Sequence, residues 1–501
     1  MMNKKQAIIN YNEYMNETRM YAQAIATLSF DDSTGAPAKA FKERNEVMNY
    51  FQTILFKRSI SSEYQQIIKD LEKCYRSLSK KYQRIVDLSK KELNQNVKVP
   101  VEVMNEYQMA CSDAFYYWQL AKNKSDYSIY KPYLEKVIKC QKEVANYFKK
   151  PEVNLYDTFL DMYEEDINQV ELDNFFNTLK ARIVPLLKKI QASDVVIKDD
   201  FLSRKIDKES QMKMGKLIAR KMGYDFSRGM VRESEHPFTN GMNNDDVRIT
   251  THIYEDNFIS NLFSMAHEGG HGIYEQNISS RLNNTILKNG ASMSFHESQS
   301  RFFENIVARS ESFSKHFFPY VKKLANGVLD DISWEEYYLA INKVTPSFIR
   351  TEADELTYCL HVLIRYEIEK EMLKDDFDFK TLPTLWNQKY KDYLGVEVTN
   401  DSIGVLQDVH WTSGVGYFFS YALGNAYSAQ IYNAMKKDLD IDSLLLQGNT
   451  KPIISWLKQH MYKYGSMLKP KDLIKVVTNE PLNPEYYCKY LEEKYSKIYH
   501  L

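Results

Sequence analysis

Two histidines and a glutamate with H-E-x-x-H spacing are the residues of this 501-residue sequence most suited to chemistry. His267, Glu268 and His271 lie in the segment LFSMAHEGGHGIYE. On an α-helix, positions i and i+4 share one face, so both imidazoles can reach one cation. Glu268, beside the first ligand, can then act as a general base on a water held there. This spacing is typical of zinc sites that keep one position open for water.

A metal centre of this type needs a third protein ligand, and three glutamates are candidates. Glu297 and Glu304 lie downstream in SMSFHESQSRFFEN, and Glu275 closes the first segment. We select Glu297, because a carboxylate from a different segment completes a known catalytic His₂Glu set. Position alone barely separates it from the other two, and any of the three can instead be a solvated surface residue.

Two consecutive glycines, Gly269 and Gly270, interrupt the predicted metal-binding helix. Each costs a helix roughly 0.5–1 kcal/mol relative to alanine. The pair therefore predicts the close approach of another backbone or of a substrate. It weighs against the alternative that the histidines are ordinary surface or core residues.

The elements that must position these groups are predicted to be mostly helical. The chain has only 17 glycines and 13 prolines, about half of ordinary usage, which favours long uninterrupted helices. In the first segment, apolar residues recur at three- and four-residue steps, as one helix face requires; they are Ile8, Tyr11, Met15, Ala22 and Ile25. Residues 158–190 and 300–330 show the same period.

One region, residues 224–256, departs from the helical pattern. It contains Gly229, Pro237, Gly241 and an Asn/Asp cluster, followed by the β-branched run VRITTHIY. This composition predicts a turn followed by a short strand or hairpin. Such a β patch, directly before the histidine segment, can aim side chains that a helix stripe cannot.

Charge and cysteine content argue against a nucleic-acid-binding or membrane protein and favour a cytoplasmic one. Lys and Arg total 66 against 67 Asp and Glu, a net charge of -1, so neither nucleic acid nor an anionic membrane is an expected partner. The sequence has no apolar run of membrane-spanning length, and its beginning does not resemble a signal peptide. Five widely spaced cysteines, without a CxxC pair, predict reduced thiols in a cytoplasmic protein.

Six short motifs occur in order between residues 236 and 411. They are HPF (236–238), D-x-R-x-T (246–250), HExxH (267–271), HESQ (296–299), IRxxADE (349–355) and GxxQDxHW (404–411). Flanking text includes YDxxLDxYE from Tyr156, GYDFSRG from Gly223, and the closing WLKQHMYKYGS and YLEEKYSKIY. Together they resemble the carboxypeptidase Taq family of metal-dependent carboxypeptidases. The resemblance is clear over residues 155–501 and weaker before them.

The resemblance implies a mostly α, elongated peptidase with a deep central groove, similar to neurolysin and angiotensin-converting enzyme, and a small β patch near the active site. It implies one domain over residues 1–501, in which a helical part (1–155) forms one wall of the groove and 156–501 are catalytic. By motif, His267, His271 and Glu297 would bind zinc, with Co²⁺ or Mn²⁺ also possible, and Glu268 would be the base. The family often forms homodimers.

A carboxypeptidase must recognise a terminal carboxylate, which arginine does best through its two-pronged guanidinium. Arg248 and Arg350 lie in the family motifs and are the candidates. Either can instead form an internal ion pair, with Asp246 or with Glu352. An arginine can also do both, held in place by its acidic neighbour.

The segment HWTSGVGYFFSY offers donors for the substrate. We predict that His410 holds the substrate backbone and that Tyr421 donates to the oxyanion of the scissile carbonyl, with Tyr417 also contacting substrate. Plain packing is the alternative for each tyrosine, and Phe419 stands where many relatives carry proline. His236 either shapes the rim and bonds substrate or is purely structural.

The sequence thus predicts a zinc metallocarboxypeptidase acting on peptides with a free C-terminal carboxylate. An endo-acting oligopeptidase with the same metal chemistry is one alternative. A catalytically inactive helical peptide-binding protein is the other, and an intact Glu268 argues against it.

Overall fold

Twenty α-helices and three short strands make up the computed structural model, which describes residues 3–501. The first six helices are α1 (Lys4–Thr34), α2 (Phe41–Ser59), α3 (Ser62–Lys73), α4 (Lys80–Lys98), α5 (Val101–Lys124) and α6 (Tyr127–Asn146). Next come α7 (Leu155–Tyr163), α8 (Gln169–Gln191), α9 (Lys208–Met222), β1 (Gly229–Glu233), β2 (Thr239–Asn243) and β3 (Asp246–Thr251). The prediction of a mostly helical protein with a small β patch is confirmed.

The remaining helices form the second half of the chain. They are α10 (Phe258–Asn277), α11 (Met293–Arg301) with a π-helical continuation (Phe302–Ala308), α12 (Glu311–Leu324), α13 (Trp334–Ile341), α14 (Glu355–Met372), α15 (Leu382–Leu394), α16 (Phe419–Met435), α17 (Ile441–Leu446), α18 (Lys451–His460), α19 (Pro470–Thr478) and α20 (Glu485–Tyr499). No helix among residues 3–501 is both long and apolar enough to cross a bilayer. All five cysteines are free.

The first predicted helix is correct, but its buried face is only partly so. Tyr11 is fully buried, whereas Ala22 is exposed. The reason is that α1 packs against α2 as well as α3, and α2 itself contains no buried residue. In the second half of α1 only Phe30 is buried, and it packs against Phe238.

The two other predicted helical stretches are interrupted. Between α7 and α8 the backbone turns through Asp166, whose φ is +66°. Asn168 then caps α8, and its backbone in turn bonds Glu171 in a capping box. Residues 300–330 break in the same way, because Ser310 caps α12.

The predicted hairpin is formed by β2 and β3. The strand order is β1-β3-β2, with β3 parallel to β1 and antiparallel to β2. Val247 and Ile249 alternate inward and are fully buried, and β3 packs on α10. The sheet is thus held directly against the helix that carries the H-E-x-x-H residues.

Helices of the N-terminal part reach the elements around that helix. The backbone oxygen of Ala26 in α1 accepts a bond from Asn240 in β2 (2.9 Å). From α5, Trp118 Nε1 donates to the backbone oxygen of Leu406 (2.9 Å) and the Tyr107 hydroxyl to that of Ser413 (2.8 Å). Both acceptors lie in the segment that leads to α16.

Candidate metal centre and its surroundings

Three side chains from two helices converge on one point. The Nε2 atoms of His267 and His271 in α10 lie 3.7 and 3.6 Å from Oε2 of Glu297 in α11. Two ligands bound tetrahedrally at about 2.0–2.1 Å from one ion are about 3.4 Å apart, so the spacing fits a single zinc-sized cation. Within residues 3–501, this is the one set of three or more His, Cys, Asp or Glu whose donor atoms cluster in this way.

Glycines allow α10, α11 and α16 to approach closely enough to form the cluster. A Cβ on Gly270 would lie 2.6 Å from the backbone oxygen of Gln299 in α11. A Cβ on Gly424 of α16 would lie 2.7 Å from Cγ of Glu297. The predicted backbone approach at the glycine pair is therefore made by α11 at Gly270, while Gly269 faces the end of the Met222 side chain (3.2 Å).

The Nδ1 atoms of His267 and His271, which point away from Glu297, each have a hydrogen-bond partner, and these partners fix the tautomers of both rings. His267 Nδ1 lies 2.8 Å from Glu304 Oε2. His271 Nδ1 lies 2.7 Å from His296 Nδ1, whose Nε2 lies 2.8 Å from Glu275 Oε1. A carboxylate only accepts hydrogen bonds, so both rows of hydrogen bonds are complete when His267 and His271 carry their protons on Nδ1. Both Nε2 lone pairs then face Glu297, as a metal requires.

The three candidate carboxylates therefore occupy different places. Glu297 Oε2 faces the histidines, while its Oε1 accepts from Arg301 Nε (2.7 Å). Glu304 and Glu275 instead contact the outer nitrogens of His267 and His296. Glu275 is also paired with Lys288 (3.1 Å).

Glu268 is buried, with 7% of its surface exposed, and a strand holds it. The Thr239 hydroxyl in β2 lies 2.6 Å from Glu268 Oε2 and 3.0 Å from the Glu268 backbone oxygen. Burial is the main influence on this carboxyl group and raises its pKa above the ordinary value. A carboxylate with a raised pKa is suited to accepting and returning a proton.

His410, Tyr417 and Tyr421 lie together. The Tyr421 hydroxyl is 3.4 Å from His410 Nε2, and the Tyr417 ring stacks on His410 at 5.5 Å. Burial, followed by the charge of Arg350, lowers the pKa of His410 to about 4, so the imidazole is neutral at physiological pH. Phe419 is the first residue of α16 and is fully buried.

The two candidate arginines have acidic partners, one of them unexpected. Arg248 forms a two-pronged pair with Asp246 (both bonds 2.8 Å), as the ion-pair alternative predicted. Arg350 does not pair with Glu352, which is exposed; its Nε and Nη2 donate to Asp408 (3.1 and 3.0 Å). A neighbour in sequence is a poor guide here, because the 3-10 turn at Arg350–Glu352 directs the arginine inward.

His236 is a surface residue in the turn between β1 and β2. Its side chain is exposed, and its backbone oxygen accepts from the Ser234 hydroxyl (2.7 Å). The neighbouring Phe238 packs edge-on against Phe30 of α1 at 5.9 Å.

Sequence reasoning did not assign the groups that support the predicted site residues. They are Thr239, His296, Arg301 and Asp408. His296 and Asp408 stand inside quoted motifs, so their position was a usable signal. Thr239 follows the HPF motif directly, but nothing in the sequence indicates that its hydroxyl reaches Glu268.

Comparison with known proteins matches this arrangement to one family. A model of the carboxypeptidase Taq (M32) metallopeptidases matches residues 10–495. The chain belongs to this M32 family. It is 42% identical to Carboxypeptidase 1 of Bacillus subtilis over 96% of both chains, and 32% identical to Thermostable carboxypeptidase 1 of Pyrococcus furiosus over 95% of both. The crystal structure of the Deinococcus radiodurans M32 carboxypeptidase superposes with a TM-score of 0.95 at 32% identity, covering 99% of this chain and 100% of that one.

Membership in the M32 family makes this protein a metal-dependent carboxypeptidase. The family implies a divalent metal, and the residues present fit one. Two neutral imidazoles and a carboxylate oxygen converge, and the outer side of each ligand is bonded to a further side chain.

Proposed function

We propose that this M32 protein releases single residues from peptide C-termini, with His267, His271 and Glu297 holding zinc and Glu268 acting as the general base. The observation that supports this most directly is the convergence of three donor atoms next to a buried glutamate. Zinc suits this nitrogen and oxygen set, although Co²⁺ and Mn²⁺ bind such sites too. When bound, the metal supplies Lewis-acid chemistry that activates water and polarises the scissile carbonyl.

Glu268 carries the proton transfers in this proposal. Its carboxylate takes a proton from the attacking water and delivers it to the leaving amine nitrogen. The Thr239 hydroxyl occupies one carboxylate oxygen, which leaves the other to face the substrate. No covalent enzyme intermediate is needed.

The aromatic cluster completes the reacting centre. Tyr421 lies three residues before Gly424, whose backbone packs on Glu297, so α16 brings the tyrosine to the metal ligands. Its hydroxyl donates to the oxyanion, and neutral His410 bonds the substrate backbone. Tyr417, stacked on His410, bounds the site, and His236 contributes to its rim.

Charge balance supports Arg350 as the group that receives the terminal carboxylate. Asp408 also accepts from Arg365 Nε (2.5 Å), so two buried arginines share one acid. Burial opposes the charge of Asp408, but both arginines hold its pKa below the ordinary value. The set keeps an excess positive charge, which a substrate carboxylate would neutralise. Arg350 also lies 5.0 Å from the Tyr421 ring, in the same cluster.

Arg248 is the second candidate for the substrate. Its guanidinium, held by Asp246, lies 5.2 Å from the Phe30 ring of α1. This contact, and that of Asn240 with α1, favour a substrate groove with helices α1–α6 as one wall and residues 156–501 as the catalytic part. The family resemblance extends the proposal to a homodimer, and the cysteine content extends it to a cytoplasmic location. Sedimentation tests the first and cell fractionation the second.

Metal analysis combined with mass spectrometry of digested peptides tests the main proposal. We expect one zinc per chain and stepwise loss of C-terminal residues, blocked by amidation of the peptide. Internal fragments from an amidated peptide would favour the endo-acting alternative. Glu268→Gln should keep the metal and lose turnover; an active variant would remove Glu268 from its role.

The carboxylate clamp is tested by Arg350→Lys, with Arg248→Lys as its matched comparison. Lysine keeps the charge beside Asp408 but loses the two-pronged geometry. We expect a higher KM for free-acid peptides in Arg350→Lys and a smaller change in Arg248→Lys. The opposite order would assign the clamp to Arg248.

A further inference from the structure

A buried carboxylate of α14, outside the metal centre, holds the segment that carries His410. Glu369 is 1% exposed and accepts three hydrogen bonds. Its Oε1 accepts from Trp411 Nε1 (3.1 Å). Its Oε2 accepts from the backbone N–H of Gly416 (3.1 Å) and from the Tyr156 hydroxyl of α7 (3.0 Å).

Two of these donors lie on either side of a backbone path that glycines make possible. Gly414 and Gly416 have φ values of +97° and +96°, a region that favours glycine. Between them, Val415 exchanges two hydrogen bonds with the Gln141 side chain of α6 (3.0 and 2.9 Å). Glu369 thus fixes the segment at both ends of this turn, while Gln141 holds its centre.

A glutamate at this position lowers the stability of the folded state when it is charged, so stability alone does not explain it. The three donors that reach it are uncharged, and Arg365 acts on it through its charge alone and less than those hydrogen bonds do. Burying a carboxylate without an ion pair is unfavourable. Burial accordingly raises its pKa to about 7. What a carboxylate offers is acceptor capacity on both oxygens, which neither glutamine nor an apolar residue has.

We propose that Glu369 is a positioning residue that sets the His410–Tyr417 segment, and the Tyr421 helix that follows, in the orientation needed for catalysis. The inference rests on the proposed function of His410 and Tyr421. It also explains part of the YDxxLDxYE motif, since Tyr156 bonds Glu369 and Tyr163 packs edge-on against Tyr417 at 5.2 Å.

Glu369→Gln tests the proposal. The amide replaces one accepting oxygen by an NH₂ donor. That donor would face either the Trp411 N–H or the donors of Gly416 and Tyr156, so at least one hydrogen bond is lost. Displacement of catalytic groups by about 1 Å can cost about 100-fold in rate. We expect kcat per bound metal to fall about 10- to 100-fold, KM to change by less than about threefold, and metal content to stay at the wild-type level.

Glu367→Gln on the same helix is the matched control. Glu367 is bonded to Tyr393 (2.7 Å) and to Lys389, on the side of α14 that faces α15. It loses the same charge without touching the His410 segment, so its kcat should equal that of the wild type.

Tyr156→Phe provides a second variant that keeps the ring and removes one donor. We expect a smaller fall in kcat, and a double variant with Glu369→Gln no slower than Glu369→Gln alone, because both changes act through one carboxylate. Independent, multiplicative losses would overturn the proposal. So would an unchanged kcat in folded, metal-loaded Glu369→Gln; if that variant does not fold, an unchanged kcat in Tyr156→Phe overturns it.

The wild type, measured in parallel, distinguishes failure of the proposed function from failure of the role of Glu369. If the wild type releases no C-terminal residues from free-acid peptides, the proposed function fails whatever the variants do. If the wild type is active and both variants match it, only the role of Glu369 fails.

Discussion

Replacing Glu304 by glutamine tests whether the carboxylates behind the histidines set the metal affinity. Glu304 Oε2 lies 2.8 Å from His267 Nδ1. The same carboxylate receives Arg301 Nη1 (3.2 Å) and faces Arg309 Nη2 (3.7 Å). Glutamine keeps the volume and one acceptor oxygen but removes the negative charge.

Two effects of this change weaken metal binding. A neutral acceptor makes the His267 imidazole less basic, and loss of such an outer partner typically costs 10- to 100-fold in metal affinity. Arg301, freed from Glu304, remains bonded to Glu297 and draws charge from that proposed ligand. We expect about tenfold weaker binding for Glu304→Gln and up to about 100-fold for Glu304→Ala, which corresponds to about 1.4–2.7 kcal/mol.

Zinc affinity measured by competition with a chelator of known strength is the assay, followed by kcat at saturating metal. Glu275→Gln is the matched comparison, because His296 stands between Glu275 and the proposed ligand His271. It should weaken binding by less than about threefold. Equal affinities for Glu304→Ala and the wild type, or a larger loss in Glu275→Gln than in Glu304→Gln, would refute the reasoning.

Three further predictions concern packing, the general base and pH. Gly270→Ala should lose about 1–3 kcal/mol of stability in urea unfolding, because its Cβ would meet the backbone of α11. Gly269→Ala should be close to neutral, because its Cβ would meet the flexible end of Met222 and would lie at ordinary contact distance from Ala219. Thr239→Val removes the bond to Glu268 and should lower kcat about 10- to 100-fold, as for a lost bond to a charged group, with metal content unchanged. Burial raises the pKa of Glu369 from 4.5 to about 7, so the folded state holds this proton more tightly than the unfolded state does. The stability of the wild type relative to Glu369→Gln should therefore fall by about 3 kcal/mol as pH rises from 4.5 to 7. A stability difference that does not change with pH would contradict the raised pKa.

The breaks in the predicted helices show what periodicity alone leaves out. Residues 158–190 keep one apolar period, yet the chain leaves the helix at residues 164–168. A usable signal was present, since Asn168 and Glu171 have capping-box spacing. The second half of α1, where only Phe30 is buried, carries no such signal, because its environment depends on where α2 packs.

The choice among the three glutamates shows why the metal centre was only partly predictable. Glu297 and Glu304 are seven residues apart, about two helical turns, so a helix places both on one face and spacing cannot rank them. In the structure both reach His267, one beside Nε2 and the other at Nδ1. The imidazole has two nitrogens, and the close helix contacts at Gly270 and Gly424 determine which glutamate lies beside which nitrogen. The H-E-x-x-H spacing therefore predicts where a metal would bind, whereas the proposed division of the glutamates into ligand and support depends on how closely α10, α11 and α16 pack.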